Sequence, residues 1–129
     1  MNYENQCSIC GSYGTELHHI QFRSQVPALR DCQLNHIYLC PQHHRDGRVG
    51  VHFNKELDKK LKLKFQNKLE FLWDKKYLSR QDVQVVLNIK DKQLDKLLKT
   101  VITKNGEYER ESLIRACCGG KLIESVKLI

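Results

Sequence analysis

The chain has 129 residues, a formal net charge of +7 and 40 % apolar residues. This length allows one domain or two very small ones, with a small core. No apolar run approaches the roughly 20 residues that cross a bilayer, and the residues before the first cysteine do not have the pattern of a signal peptide. We therefore exclude a membrane protein and expect a cytoplasmic one.

The positive charge is concentrated in the second part of the chain. Residues 1–54 carry as many acidic as basic side chains, so the whole excess of +7 lies in residues 55–129. A lysine-rich surface suits contacts with the phosphates of a nucleic acid. It also suits a helix that is merely soluble, so charge alone leaves both interpretations open.

Two pairs of metal-binding residues stand at matching spacing. Two residues separate Cys7 from Cys10, and two also separate Cys40 from His43. This donor set is typical of a structural zinc site, and its spacing favours thiolate–metal bonds over disulfides. A closed site would supply folding energy to a small core. Cys32 is a rival to His43 as the fourth ligand.

The segment between these pairs predicts a hairpin that leads into a helix. Apolar residues in 15–22 indicate a first strand, and residues 35–40 indicate a second. The loop between them contains Pro27, which opposes strand pairing. Pro41 then suits the first turn of a helix. All six histidines of the chain lie between the start of this hairpin and residue 52.

Four residues of this segment form a known pattern. They are His18 and His19 at the end of the first strand, Asn35 at the start of the second, and His44 on the helix. Within the clamp of cysteine pairs, this spacing resembles the HNH nuclease motif of the ββα-metal (His-Me finger) fold, over residues 7–52. The resemblance implies a metal-dependent endonuclease that hydrolyses phosphodiester bonds in DNA.

The resemblance also implies a role for each residue. His19 would be the general base that activates water, and Asn35 would orient its ring and hold the loop closed. His18 and His44 would bind the catalytic ion, expected to be Mg²⁺ or another divalent cation. Adjacent helix residues are about 100° apart, so one helix can direct His43 to the zinc and His44 to the second metal.

The sequence departs from the family at one position. Members such as the colicin nucleases often have a further metal ligand one helical turn after the last histidine, but Arg48 stands there and cannot bind a cation. His52 can replace that ligand if the helix ends near Gly47 or Gly50 and the chain folds back; whether it does stays open. Arg23 and Arg48 are candidates for phosphate contacts, with plain surface charge as the alternative.

Residues 55–76 predict an amphipathic connector helix. Apolar residues recur at four-residue spacing from Leu57 to Trp73, and lysines occupy the other face. The apolar stripe must pack on something, so we expect this helix to dock. The predicted divisions are 1–54 for the nuclease module with its zinc, 55–76 for the connector and 77–129 for a last domain.

The last part predicts two short helices, a hairpin and a third helix. Ser79 suits the N-cap of the first helix, and Asp91 is expected to cap the second after a short turn. Asn105-Gly106 favours a hairpin. A final helix spans about 111–118 and ends at a glycine pair.

This order resembles the small winged helix-turn-helix domain of excisionase-like and MerR-like DNA-binding proteins, over about 77–125. The resemblance implies that the second helix and the wing contact DNA. The residues expected to do so are Lys90, Lys92, Gln93, Lys96 and Lys99 on or beside the helix and Lys104 on the wing. The alternative is a helical domain that docks on the nuclease module or on a protein partner.

The predicted fold class is α+β, with a zinc-stabilised ββα-metal module, a connector helix and a mainly helical winged-helix-like domain. The predicted function is an HNH endonuclease of a phage or mobile element, acting in a bacterial or phage-infected cell. A non-catalytic zinc-containing DNA-binding regulator and a nuclease acting on RNA stay open, as does a homodimer.

Overall fold

Two small antiparallel sheets and five helices make up residues 5–124, the part of the chain that the computed structural model describes. The predicted α+β class is confirmed. Residues 1–4 of the first predicted domain and residues 125–129 of the last one lie outside the described part. In chain order the elements are β1 (Glu16–His19), 3-10 turns at Pro27–Leu29 and Gln33–Asn35, β2 (His36–Leu39), α1 (Pro41–Arg45), α2 (Lys55–Leu72), β3 (Tyr77–Leu78), α3 (Arg80–Leu87), α4 (Asp91–Leu98), β4 (Thr103–Lys104), β5 (Glu107–Glu109) and α5 (Arg110–Cys117).

β1 and β2 form an antiparallel hairpin in which His19 lies opposite His36. Both strands are shorter than predicted. β1 ends at His19 and not at residue 22, because the backbone of Gln21 bonds to the side chain of Asn35 instead of a partner strand. β2 begins one residue late, since Asn35 belongs to a 3-10 turn.

The amphipathic helix is present as α2, but it ends earlier than residue 76. It starts after Asn54, whose side chain accepts a hydrogen bond from the first turn. At the other end, Arg110 of α5 donates to the carbonyls of Glu70 and Trp73, which satisfies carbonyls that the helix leaves unpaired. The chain turns there, and Trp73 enters the core with 1 % of its surface exposed.

The C-terminal elements follow the predicted order, with one correction. Ser79 caps α3, and Asn105 and Gly106 have positive φ angles of 53° and 80° in the turn between β4 and β5, as a two-residue hairpin requires. The N-cap of α4 is Lys90 and not Asp91. Asp91 is already helical, where an acid in the first turn is favoured by the helix dipole. β5 lies between β3 and β4 in the sheet.

The N-terminal and C-terminal parts share one hydrophobic core. Leu29 and Cys32, from the loop after β1, belong to the same buried cluster as Leu94 of α4 and Cys117 of α5. α4 packs on the 3-10 turn at Pro27–Leu29, so this helix lies beside the β1–β2 hairpin. No helix in residues 5–124 is long and apolar enough to cross a bilayer.

Candidate functional site

Four side chains from the two predicted pairs meet in one cluster, which we call the thiolate cluster: Cys7, Cys10, Cys40 and His43. The Sγ atoms of Cys10 and Cys40 are 3.7 Å apart, and Nδ1 of His43 is 3.2 Å from Sγ of Cys40 and 3.7 Å from Sγ of Cys7. Two thiolates on one tetrahedral zinc, with bonds of about 2.3 Å, stand about 3.8 Å apart. The cluster can therefore hold a metal such as zinc.

Local backbone geometry brings the first two thiolates together. The amide of Gly11 donates to the carbonyl of Cys7 at 2.8 Å, and the φ angle of Gly11 is 77°, a conformation that glycine adopts without strain. The amide of Ser8 donates to the carbonyl of Tyr38 at 2.9 Å. This bond ties the turn to β2, immediately before Cys40.

The chemistry of the thiols also suits a metal. A hydrogen bond from the backbone of His43 is the main cause that lowers the pKa of Cys40 to about 7, and thiolates are the form that binds metals. Cys32, the rival fourth ligand, is fully buried in the core, away from this cluster, and burial raises its pKa. His43 is therefore the residue that completes the four-donor set.

Three further histidines form a second cluster, which we call the histidine cluster: His18, His44 and His52. One ring nitrogen of each lies within 4.8 Å of the others, and the Nε2 atoms of His44 and His52 are 2.9 Å apart. Three imidazole nitrogens at this spacing can share one cation, since two of them on a tetrahedral ion stand about 3.3 Å apart.

A tight reversal of the chain after α1 delivers His52. The helix ends at Arg45, and the following residues fold back along it, so that the amide of Val51 donates to the carbonyl of His43 at 2.7 Å. Gly50 makes the reversal possible. A Cβ there would stand 2.5 and 2.6 Å from backbone atoms of Asp46, closer than packed atoms approach.

Glu16 orients one member of the histidine cluster. Its carboxylate accepts a hydrogen bond from Nδ1 of His44 at 3.0 Å and another from Nε of Arg45 at 2.9 Å. The bond from His44 is the main cause that lowers the pKa of Glu16. With the proton on Nδ1, Nε2 of His44 has a free lone pair for a cation. Sequence reasoning did not assign this residue, although its position two residues before His18 places both on one face of β1.

His18 is the most constrained of the three. It is 2 % exposed, and its Nε2 has no hydrogen-bond partner within residues 5–124, which is uncommon for a buried polar atom. Burial, and then the neighbouring His52 and His44, lower its pKa to about 3, so the ring is neutral at physiological pH. A buried, neutral imidazole with an unused nitrogen fits a metal ligand.

The donors of the histidine cluster do not favour Mg²⁺ among the divalent cations expected there. Mg²⁺ is a hard cation that prefers oxygen ligands in octahedral geometry. Imidazole nitrogens suit zinc, copper, iron or nickel. The histidine cluster offers nitrogens only, so nothing in it supports Mg²⁺.

His19 is not a member of this cluster and is held by a backbone carbonyl. Its Nε2 donates to the carbonyl of Arg30 at 3.0 Å, and Nε2 of His36 donates to the same oxygen at 2.7 Å. The prediction that Asn35 orients His19 by direct hydrogen bonds is wrong. The Asn35 side chain is fully buried and bonds to the backbone of Gln21 and Leu29, so it closes the loop that carries Arg30.

A cleft of about 820 Å³ opens beside the histidine cluster and His19. Among the residues predicted to contact DNA, Arg23, Gln93 and Lys96 line this cleft, together with Arg30. The remaining predicted contacts are exposed but are not part of its lining: Arg48, Lys90, Lys92, Lys99 and Lys104. Cations from both halves of the chain therefore border one cleft.

Comparison of the chain with protein-family models, with curated proteins and with solved structures found no match. What the site can do therefore has to be argued from its own geometry.

Proposed function

We propose that the chain is a metal-dependent endonuclease of the HNH type that hydrolyses phosphodiester bonds in DNA. One observation carries the proposal: three imidazole nitrogens converge on a point beside a fourth, separately held histidine, His19, at the edge of a cleft that basic side chains border. Hydrolysis of a phosphodiester needs these parts, namely a cation for the developing charge and a base for the water.

The chain's own residues divide the work. A divalent ion held by His18, His44 and His52 would polarise the phosphate and stabilise the leaving oxygen. The Nε2–H of His19 donates to the carbonyl of Arg30, so its free lone pair is on Nδ1 and can take a proton from water. Burial is the main cause that lowers the pKa of His19, which keeps this base neutral at pH 7. The resemblance implies products with 5′-phosphate and 3′-hydroxyl ends.

We further propose that the C-terminal part is a winged helix-turn-helix that positions DNA. The order of β3, α3, α4, the β4–β5 hairpin and α5 supports this proposal, as does the excess of basic residues after residue 54. Four exposed lysines can contact phosphates. Lys90 and Lys92 lie at the start of α4, Lys99 lies at its end, and Lys104 lies in the β4–β5 hairpin. Arg48 offers a further cation on the N-terminal side.

Cleavage of a supercoiled plasmid tests the proposal, with zinc, nickel, cobalt, manganese and magnesium each added in turn. We expect nicking with at least one transition-metal ion. We expect His19→Ala to slow it by about 10²–10⁴-fold, the usual contribution of a general base, without loss of bound metal. His36→Ala is the matched control, because His36 bonds to the same carbonyl but does not line the cleft.

Two results would contradict the proposal. One is a His19→Ala variant that cuts as fast as the parent. The other is a parent chain, loaded with metal at both clusters, that nicks no plasmid with any of these ions. A structured RNA added as a second substrate shows whether the activity is directed to RNA instead of DNA.

A second candidate function is a DNA-binding regulator that carries a structural metal and has no catalysis. The observation that favours it is that the thiolate cluster shares no residue with the histidine cluster, and that Lys90, Lys92 and Lys99 lie outside the cleft lining. A gel shift run beside the nicking assay separates the two candidates. Both retard DNA with His18→Ala, but a nuclease nicks the plasmid as the parent chain and loses this cutting in the variant, whereas a regulator nicks it in neither form.

A further inference from the structure

One wall of the cleft is formed by α4. This helix is part of the predicted C-terminal DNA-binding domain and not of the nuclease module. Gln93 and Lys96 line the same cleft as His18, His19, His44 and His52. They are three residues apart and therefore lie on one face of the helix. A recognition helix of a separate domain would present its residues at a distance from the metal site. Here, Gln93 and Lys96 line the same cleft as the histidine cluster.

The packing of α4 fixes this arrangement. Leu94, Leu97 and Leu98 are buried, and α4 rests on the 3-10 turn at Pro27–Leu29. The carbonyl of Leu29 in turn accepts a hydrogen bond from Asn35 at 3.2 Å. The helix is thus connected, through one short turn, to the residue that closes the hairpin loop.

Ion pairs separate the charges on α4 into two groups. Asp91 and Asp95 both pair with Arg80 of α3, at 3.7 and 2.7 Å, so these acids face α3 and share its one cation. Lys96 has no such partner among residues 5–124. The cleft lining has three cations, Arg23, Arg30 and Lys96, against one acid, Asp31, which pairs with Arg30 at 3.6 Å. The lining therefore attracts an anionic chain.

We propose that α4 is the second wall of the cutting cleft: Lys96 binds a phosphate next to the scissile one, and Gln93 contacts the adjoining nucleotide. The inference rests on the proposed nuclease function and deepens it. It means that the helix that binds DNA and the histidines that cut it act on the same few nucleotides. Cleavage then falls inside the bound segment and not at a distance from it.

Lys96 acts here as a positioning residue, so its test separates turnover from binding. We expect Lys96→Ala to lower the rate constant at saturating DNA by about 10–100-fold, the value of one charge-assisted hydrogen bond. Lys96→Arg should restore most of that rate. Lys68→Ala is the matched comparison, since Lys68 is an exposed lysine of α2 that lies outside the cleft lining and is not among the predicted DNA contacts. It should leave both KM and the saturated rate within about 2-fold.

The measurement is single-turnover cleavage of a labelled duplex across a range of protein concentrations, with metal content and thermal melting recorded for each variant. Equal effects of Lys96→Ala and Lys68→Ala on the saturated rate, in a parent chain that cuts, overturn this inference alone. A footprint that excludes the cut also overturns it. A parent chain that does not cut with any metal overturns the nuclease function and this inference together.

Discussion

The thiolate cluster and the histidine cluster share one short helix, yet they differ in the number of donors, in the type of donor and in access to the cleft. His43 and His44 are neighbours on α1 and face different clusters. The thiolate cluster has four donors, three of them sulfur. The histidine cluster has three nitrogens, borders a cleft and includes one exposed member, His52.

The two donor sets therefore suit different roles, one structural and one open to a substrate. A closed set of four donors leaves no position for a substrate, whereas three donors leave one. The closed cluster ties the N-terminal turn to α1, and the backbone of α1 then positions the residues of the open cluster. The carbonyl of His43 accepts the hydrogen bond from Val51 that holds the loop before His52. A metal at the thiolate cluster would thus support the geometry of the histidine cluster.

Removal of one thiolate should have the largest effect of the predictions that follow. Cys10→Ser leaves the thiolate cluster with three strong ligands, and structural zinc contributes much of the folding energy of small modules. We expect loss of the tightly bound metal and a fall in the free energy of unfolding of about 4 kcal/mol or more. Elemental analysis and thermal melting measure both.

Cys118→Ser is the matched control for that variant. Cys118 follows α5, is partly buried and takes no part in either cluster. It should keep the metal and lose little stability. If Cys10→Ser kept its metal and its melting temperature, the thiolate cluster would not be the support of the fold.

The loop before His52 offers a way to damage the open cluster alone. Gly50→Ala brings a Cβ into the backbone of Asp46, so the chain must move and displace His52. We expect affinity for zinc at the histidine cluster to fall by more than about 100-fold, beyond the loss usual for an outer-shell partner, while the thiolate-bound metal stays. Titration with a zinc indicator resolves the two sites.

Gly47→Ala is the control for this substitution, because a Cβ at Gly47 meets no atom within 4 Å. It lies in the same loop and replaces the same residue type. Equal zinc affinity of the two alanine variants would contradict the view that the close approach at Gly50 delivers His52.

Short-range spacing predicted much of this molecule. The cysteine pairs, the start of α3 at Ser79 and the Asn105-Gly106 turn depend on residues close in sequence, and local chemistry determines them. Gly47 and Gly50 also indicated, as one of two open outcomes, the chain reversal that brings His52 to His44.

Long-range packing accounts for what the sequence did not predict. The role of Glu16 depends on how α1 crosses β1, and the position of Lys96 depends on α4 resting on Pro27–Leu29. Asn35 was expected beside His19, but its side chain turned inward to bond with Gln21. Strand alternation gives the face of a residue but not which element covers that face.

The smallest of these effects concerns Glu16, and it sharpens the difference between the clusters most directly. In the histidine cluster, His44 is held by a carboxylate from outside the cluster, that of Glu16. Glu16→Gln keeps the shape but replaces the carboxylate with an amide, which weakens the hold on the Nδ1 proton. We expect zinc affinity at the histidine cluster to fall by about 10-fold, at the low end for an outer-shell partner.

Glu56→Gln is the control, since Glu56 is exposed in the first turn of α2 and belongs to neither cluster. The thiolate-bound metal and the melting temperature should not change in either variant. Equal zinc affinity in Glu16→Gln and the parent would mean that packing alone orients His44. A loss of metal from both clusters would mean instead that Glu16 supports the hairpin as a whole, through the ion pair that it also makes with Arg45.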